Sequence, residues 1–115
     1  MHELSIALSI IDLVLEEPAV AAGARVESVH LRIGALSGVA REALLFSYQV
    51  ACRDGALAGS RLVIEELPVE IHCPACAGRR PAVSAAALFC AACGAPAAEV
   101  LQGRELVVAA LEILE

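Results

Sequence analysis

Apolar positions along this chain repeat with two different periods, and each change of period marks the end of an element. Over residues 3–17, Leu4, Ala7, Leu8, Ile11, Val14 and Leu15 recur at helical spacing, with Ser5, Ser9, Asp12 and Glu16 on the opposite stripe. Ile6, Ile10 and Leu13 widen the apolar side, so this helix should pack on more than one neighbour; Pro18 and Gly23 end it. Residues 25–34, RVESVHLRIG, alternate instead. Val29, Leu31 and Ile33 share one face of a strand, and Ser28, His30 and Arg32 share the other.

The turn ALSG follows, and Ser37 or a near neighbour is expected to cap a second helix over about 39–52, VAREALLFSYQVAC. Its packing side is expected to be Ala43, Phe46, Ser47 and Val50. A second strand is expected over 61–71, with Pro68 marking an edge position or a bulge. The closing RELVVAALEILE has a β-branched start and reads as a third strand. The predicted fold class is α+β: a small three-stranded sheet with two helices on one face, plus an inserted zinc-ribbon-like module. Residues 1–71 with 99–115 form the main domain in this reading, and 72–98 the insert.

That insert contains CPACAGRRPAVSAAALFCAACG, in which Cys73, Cys76, Cys90 and Cys93 have the form C-x2-C-x13-C-x2-C. Two residues between cysteines let both thiolates face one ion across a tight turn, and two such knuckles complete a tetrahedral sulfur shell suited to Zn²⁺. Four protein ligands leave no open position, so such a site is structural. Gly78 and Gly94 are expected to help the backbone turn back, and Arg79 and Arg80 to offset part of the thiolate charge. His72, next to Cys73, is a fifth candidate, but a filled tetrahedron makes it an outer neighbour instead. Cys52 reads as a buried thiol and His30 as a surface residue.

Composition narrows the function classes. The chain has 115 residues and a formal net charge of −6, with all eight basic residues arginine. An acidic balance with few aromatics argues against nucleic acid as a partner. No apolar run approaches the roughly 20 residues that span a bilayer, and residues 1–15 lack a basic leader, so the protein reads as soluble and cytoplasmic. No nucleophile–base set, phosphate-cradling loop or open metal position indicates an enzyme.

The opening MHEL carries the remaining chemistry. The Met1 amine, the backbone nitrogen and Nδ1 of His2, and the backbone nitrogen or carboxylate of Glu3 form a nitrogen-rich set that favours Ni(II) or Cu(II) over Zn²⁺. By itself the motif decides little, because His2 can simply be the residue before a helix and Glu3 an acid facing the helix dipole. The whole pattern says more. MHELSIA, IGALSGVAREALLFSYQVA, the paired cysteines and GRELVVAALEILE together resemble the HypA/HybF family of hydrogenase nickel-incorporation proteins, across essentially the whole chain.

The resemblance implies a nickel metallochaperone. Nickel would be held at Met1, His2 and Glu3, and zinc at Cys73, Cys76, Cys90 and Cys93. It further implies a nickel-insertion GTPase partner, the [NiFe] hydrogenase large subunit precursor as recipient, urease in some bacteria, and a monomer or homodimer. Some members carry an acidic residue where this chain has Ala40, and Glu42 stands two residues later, so backbone donors at residues 1–3 should dominate here. The rival reading is a zinc-ribbon module for protein interaction or nucleic acid, without nickel.

Overall fold

The computed structural model describes residues 2–114. Its elements are α1 (Glu3–Leu15), α2 (Pro18–Ala21), β1 (Arg25–Gly34), α3 (Arg41–Ala51), β2 (Arg61–Leu67), β3 (Glu70–Cys73), β4 (Gly78–Ser84), β5 (Ala87–Cys90), β6 (Glu99–Gln102) and β7 (Leu106–Leu114). The fold is α+β, as the sequence pattern predicts. One sheet has three strands in the order β2-β1-β7, and a second has four in the order β5-β4-β3-β6.

The chain divides into two compact units. The first comprises Met1–Leu31, Val39–Ile64 and Val108–Glu115. Here α1 and α3 pack on each other. The buried side of α1 is Ile6, Ala7, Ile10 and Val14, an i, i+4, i+8 stripe. This differs from the expected stripe: Leu4, Leu8 and Leu15 are exposed. An almost uniformly apolar helix offers several equivalent faces, and only its neighbours choose among them. The same correction holds for α3, where Leu44, Tyr48 and the following Cys52 are buried while Ala43, Phe46 and Val50 face solvent. Tyr48 keeps its hydroxyl satisfied inside the core by bonding Ser60 Oγ at 2.7 Å.

The cap position of α3 falls on Ala40 rather than on Ser37. An alanine methyl cannot accept from the orphan N–H groups of a first turn. The carboxylate of Glu3 comes across from α1, and its Oε2 accepts the cap residue's own N–H, that of Ala40, at 3.1 Å.

The second unit comprises Arg32–Gly38 and Glu65–Val107. Pro68 does not sit within one strand as expected; it separates β2 from β3, which belong to different sheets. A residue without an N–H interrupts the ladder, and the chain uses the break to change sheets. The small core here is Val69, Ile71, Cys73 and Cys90, with Leu36, Ala82, Leu88 and Val100 packed around it. Residues 34–36 lie directly against residues 103–105: Leu36 N–H donates to the Gly103 carbonyl at 2.6 Å and Gly34 N–H to the Glu105 carbonyl at 2.8 Å. A Cβ on Gly34 would come within 2.1 Å of the Gly103 carbonyl carbon and oxygen, so only glycine fits.

Candidate metal centre

The two cysteine pairs sit on turns that follow strands. Cys73 ends β3 and Cys90 ends β5, while Cys76 and Cys93 lie in the turns that follow. The second cysteine of each pair is followed by a residue of positive φ, Ala77 at 55° and Gly94 at 79°. That residue reverses the chain so that both sulfurs of a knuckle point the same way. On the first knuckle the turn residue is Ala77, not Gly78 as the glycine pattern suggests. A non-glycine residue held there implies that the sulfur geometry outweighs a local strain of about 1–2 kcal/mol.

The four sulfurs converge. All lie within 4.8 Å of one another, with Cys73 Sγ 3.5 Å from Cys93 Sγ and Cys76 Sγ 4.0 Å from Cys90 Sγ. Zinc–sulfur bonds of about 2.3 Å at tetrahedral angles require sulfurs roughly 3.8 Å apart, so the shell has the size of a zinc site. The Cys76 N–H also donates to Cys73 Sγ at 3.3 Å.

Four thiols this close compete for protons. At Cys90, burial opposes ionisation, but the N–H groups of Cys93 and Ala92 and the sulfurs of Cys93 and Cys73 outweigh it and bring the thiol to about 7. At Cys93 the Ala95 N–H favours the thiolate. The Cys73 thiol, burial, and the Cys76 and Cys90 sulfurs outweigh it and push the group up to about 12. A divalent cation resolves that competition by letting all four ionise together.

Arg79 pairs with the Glu70 carboxylate, and Arg80 Nη1 donates to the Arg79 carbonyl at 2.9 Å. Arg79 is thus engaged by a carboxylate of β3, and Arg80 by a backbone carbonyl of β4. His72 stands across the ladder from Arg79 on one side and Glu99 on the other, and is not among the converging ligands.

The N-terminal candidates fall in the first unit. Met1 lies outside the described residues. His2 is the exposed N-cap of α1, and its carbonyl accepts the Ile6 N–H at 3.2 Å. Glu3 follows in the first turn, its carboxyl held below the usual range by the Ala40 N–H and by its own N–H. That carboxylate is therefore engaged in joining α1 to the start of α3. Glu42 is exposed in the first turn of α3.

The polar cluster between β1 and β7 was not foreseen from the sequence. Ser28 is fully buried, and its hydroxyl donates to Glu112 Oε1 at 2.6 Å; His30 Nε2 meets the same oxygen at 2.7 Å. The one acid in an otherwise apolar β7 was the available signal, since it had to face the polar side of β1. Cys52 is buried as expected, beside Tyr48 and Ser60, and burial pushes its thiol up.

A family model described as hydrogenase/urease nickel incorporation, metallochaperone, HypA matches residues 1–113. The chain belongs to the HypA family. Its relatives include a hydrogenase maturation factor HypA of Chloroflexus aurantiacus, 43% identical over 97% of this chain and 98% of that protein. Another is the HypA of a Roseiflexus species, 45% identical over 97% and 91%. The solution structure of the Ni metallochaperone HypA from Helicobacter pylori aligns over 99% of this chain and 98% of that one, with 25% identity and a TM-score of 0.63. A second HypA solution structure aligns over 99% and 97%, with 26% identity and a TM-score of 0.69. HypA proteins are nickel metallochaperones of hydrogenase maturation that bind nickel and structural zinc, and the four-cysteine cluster here is of the kind that holds the zinc. Among the described residues, no helix is long and apolar enough to cross a membrane.

Proposed function

We propose that this chain carries Ni(II) at its N-terminus and, with a GTPase partner, delivers it in the cytoplasm to the large subunit precursor of an [NiFe] hydrogenase, or to urease. The match to the nickel-incorporation family from residue 1 onward carries the reading, because it includes the MHE start. His2 would supply Nδ1 and its backbone nitrogen, Met1 the amine, and Glu3 its backbone nitrogen. The carboxylate of Glu3 already accepts from Ala40, which favours the backbone donor at that residue.

In this reading the domain of residues 1–71 and 99–115 handles nickel, and residues 72–98 hold zinc through Cys73, Cys76, Cys90 and Cys93. The two metals differ in purpose. Four thiolates grip zinc without an open position, which suits a structural task. An amine, an imidazole and amide nitrogens at a chain end can rearrange, which suits a cargo. Each must lose a proton to bind, so nickel affinity falls in acid and release is favoured there. The protein itself would catalyse no reaction.

Metal analysis of the protein before and after nickel addition, beside His2→Ala, tests this. The expected result is one zinc retained in both proteins and nickel uptake in the wild type alone. Undiminished nickel uptake by His2→Ala would overturn the N-terminal assignment and leave a zinc module of another purpose.

A further inference from the structure

We propose that the open edge of β7, with the hollow beside the C-terminal half of α1, docks an extended apolar segment with basic flanks from a partner protein, adding it to the sheet as a further strand. Three observations lead there.

The first is the strand itself. β7 ends the order β2-β1-β7, so among the described residues one side of its backbone has no neighbouring strand. Natural sheets protect such edges with lysine, proline, bulges or charge. The other end of this sheet follows that rule, since β2 carries Arg61, Glu65 and Glu66. β7 does not. Every residue of LVVAALEIL except Glu112 is apolar, Glu112 is turned toward Ser28 and His30, and no residue of the strand is buried.

The second is the hollow. A cavity of about 450 Å³ is lined by Leu13, Val14 and Glu17 of the α1 end and by Val108, Ala109, Ala110, Leu111 and Ile113. Side chains alternate between the faces of a strand, so four consecutive lining residues mean that the backbone edge itself borders the space. Leu13 projects beside it, 54% exposed. A partner strand would find backbone groups to pair with and a slot for apolar side chains, the combination that strand addition uses.

The third is charge, which selects the occupant. α1 has no basic residue in its last turn and is followed by Glu16, its C-cap, which adds to the negative end of the helix dipole, and by Glu17, a second acid that borders the hollow. A second copy of this chain would bring the same acids against themselves. A strand flanked by arginine or lysine meets them favourably.

The test uses the full zinc-loaded chain and the synthetic peptide Arg-Val-Thr-Val-Thr-Val-Arg, read by amide hydrogen exchange and by titration. Binding should slow exchange over residues 108–111. It should weaken about tenfold or more when the flanking arginines become glutamates. Ala109→Lys, at an exposed position, and Leu13→Glu should each abolish binding with zinc content unchanged. Absence of protection in β7, equal binding of the glutamate-flanked peptide, or self-association of the chain through β7 would overturn the proposal.

Discussion

At the residue scale, single atoms decide what a position tolerates. Ala77 and Gly94 occupy equivalent places in the two knuckles, yet only one is glycine. A left-handed alanine carries about 1–2 kcal/mol of strain, and glycine gives back part of that difference as added freedom in the unfolded chain. Ala77→Gly should therefore stabilise the zinc-loaded protein by roughly 0.5–1 kcal/mol, measured by denaturant unfolding. Loss of stability would show that the alanine methyl makes a contact outweighing the strain. At Glu3 one carboxylate oxygen accepts the Ala40 N–H and so ties the first turn of α1 to the start of α3.

At the element scale, strands and helices take their faces from the company they keep. β1 and β7 share a polar cluster on one side, where Glu112 accepts from Ser28 and His30. These bonds, the serine's first, hold the Glu112 carboxyl below its ordinary value of 4.5. A carboxyl with a depressed folded value stabilises fully above its unfolded value and loses that contribution as pH falls through the folded one. The stability difference between wild type and Glu112→Gln should accordingly shrink as pH falls from about 5 toward 2. Urea unfolding across that range checks it, and a gap that widens in acid would refute the assignment.

At the scale of the whole molecule, the two units are stabilised differently. The first has a core of ordinary kind, with Ile6, Ile10, Val14, Val29, Leu31, Leu44 and Tyr48 all buried. Among its described residues the second buries only Ile33, Val69 and Ile71 as large apolar side chains besides its cysteines. At roughly 1.5–3 kcal/mol per large side chain, those three cannot offset the ordering of so many residues at about 1–2 kcal/mol each. Metal–thiolate bonding must supply the rest. Removing zinc with a chelator should thus open the amides of β3 through β6 to exchange while those of α1 and α3 stay protected. Unchanged exchange in β3–β6 would show that the apolar contacts suffice alone.

Much of this was legible in the chain because it is written in local spacing. Two residues between paired cysteines fix where sulfurs can go, and alternation from Ser28 to Ile33 marked the strand that is β1, Arg25–Gly34. The buried faces of α1 and α3 were not legible, because helices apolar on several sides leave the choice to whatever packs on them. Nor was the second sheet, whose four-residue strands β3, β5 and β6 are too short to show a period. The contact of Glu3 with Ala40 and that of Ser28 and His30 with Glu112 join residues 37, 84 and 82 positions apart. Sequence determined the cysteine spacing and the alternation, which depend on near neighbours. Tertiary structure decided the faces, the caps and the open edge, because those depend on which distant surfaces meet.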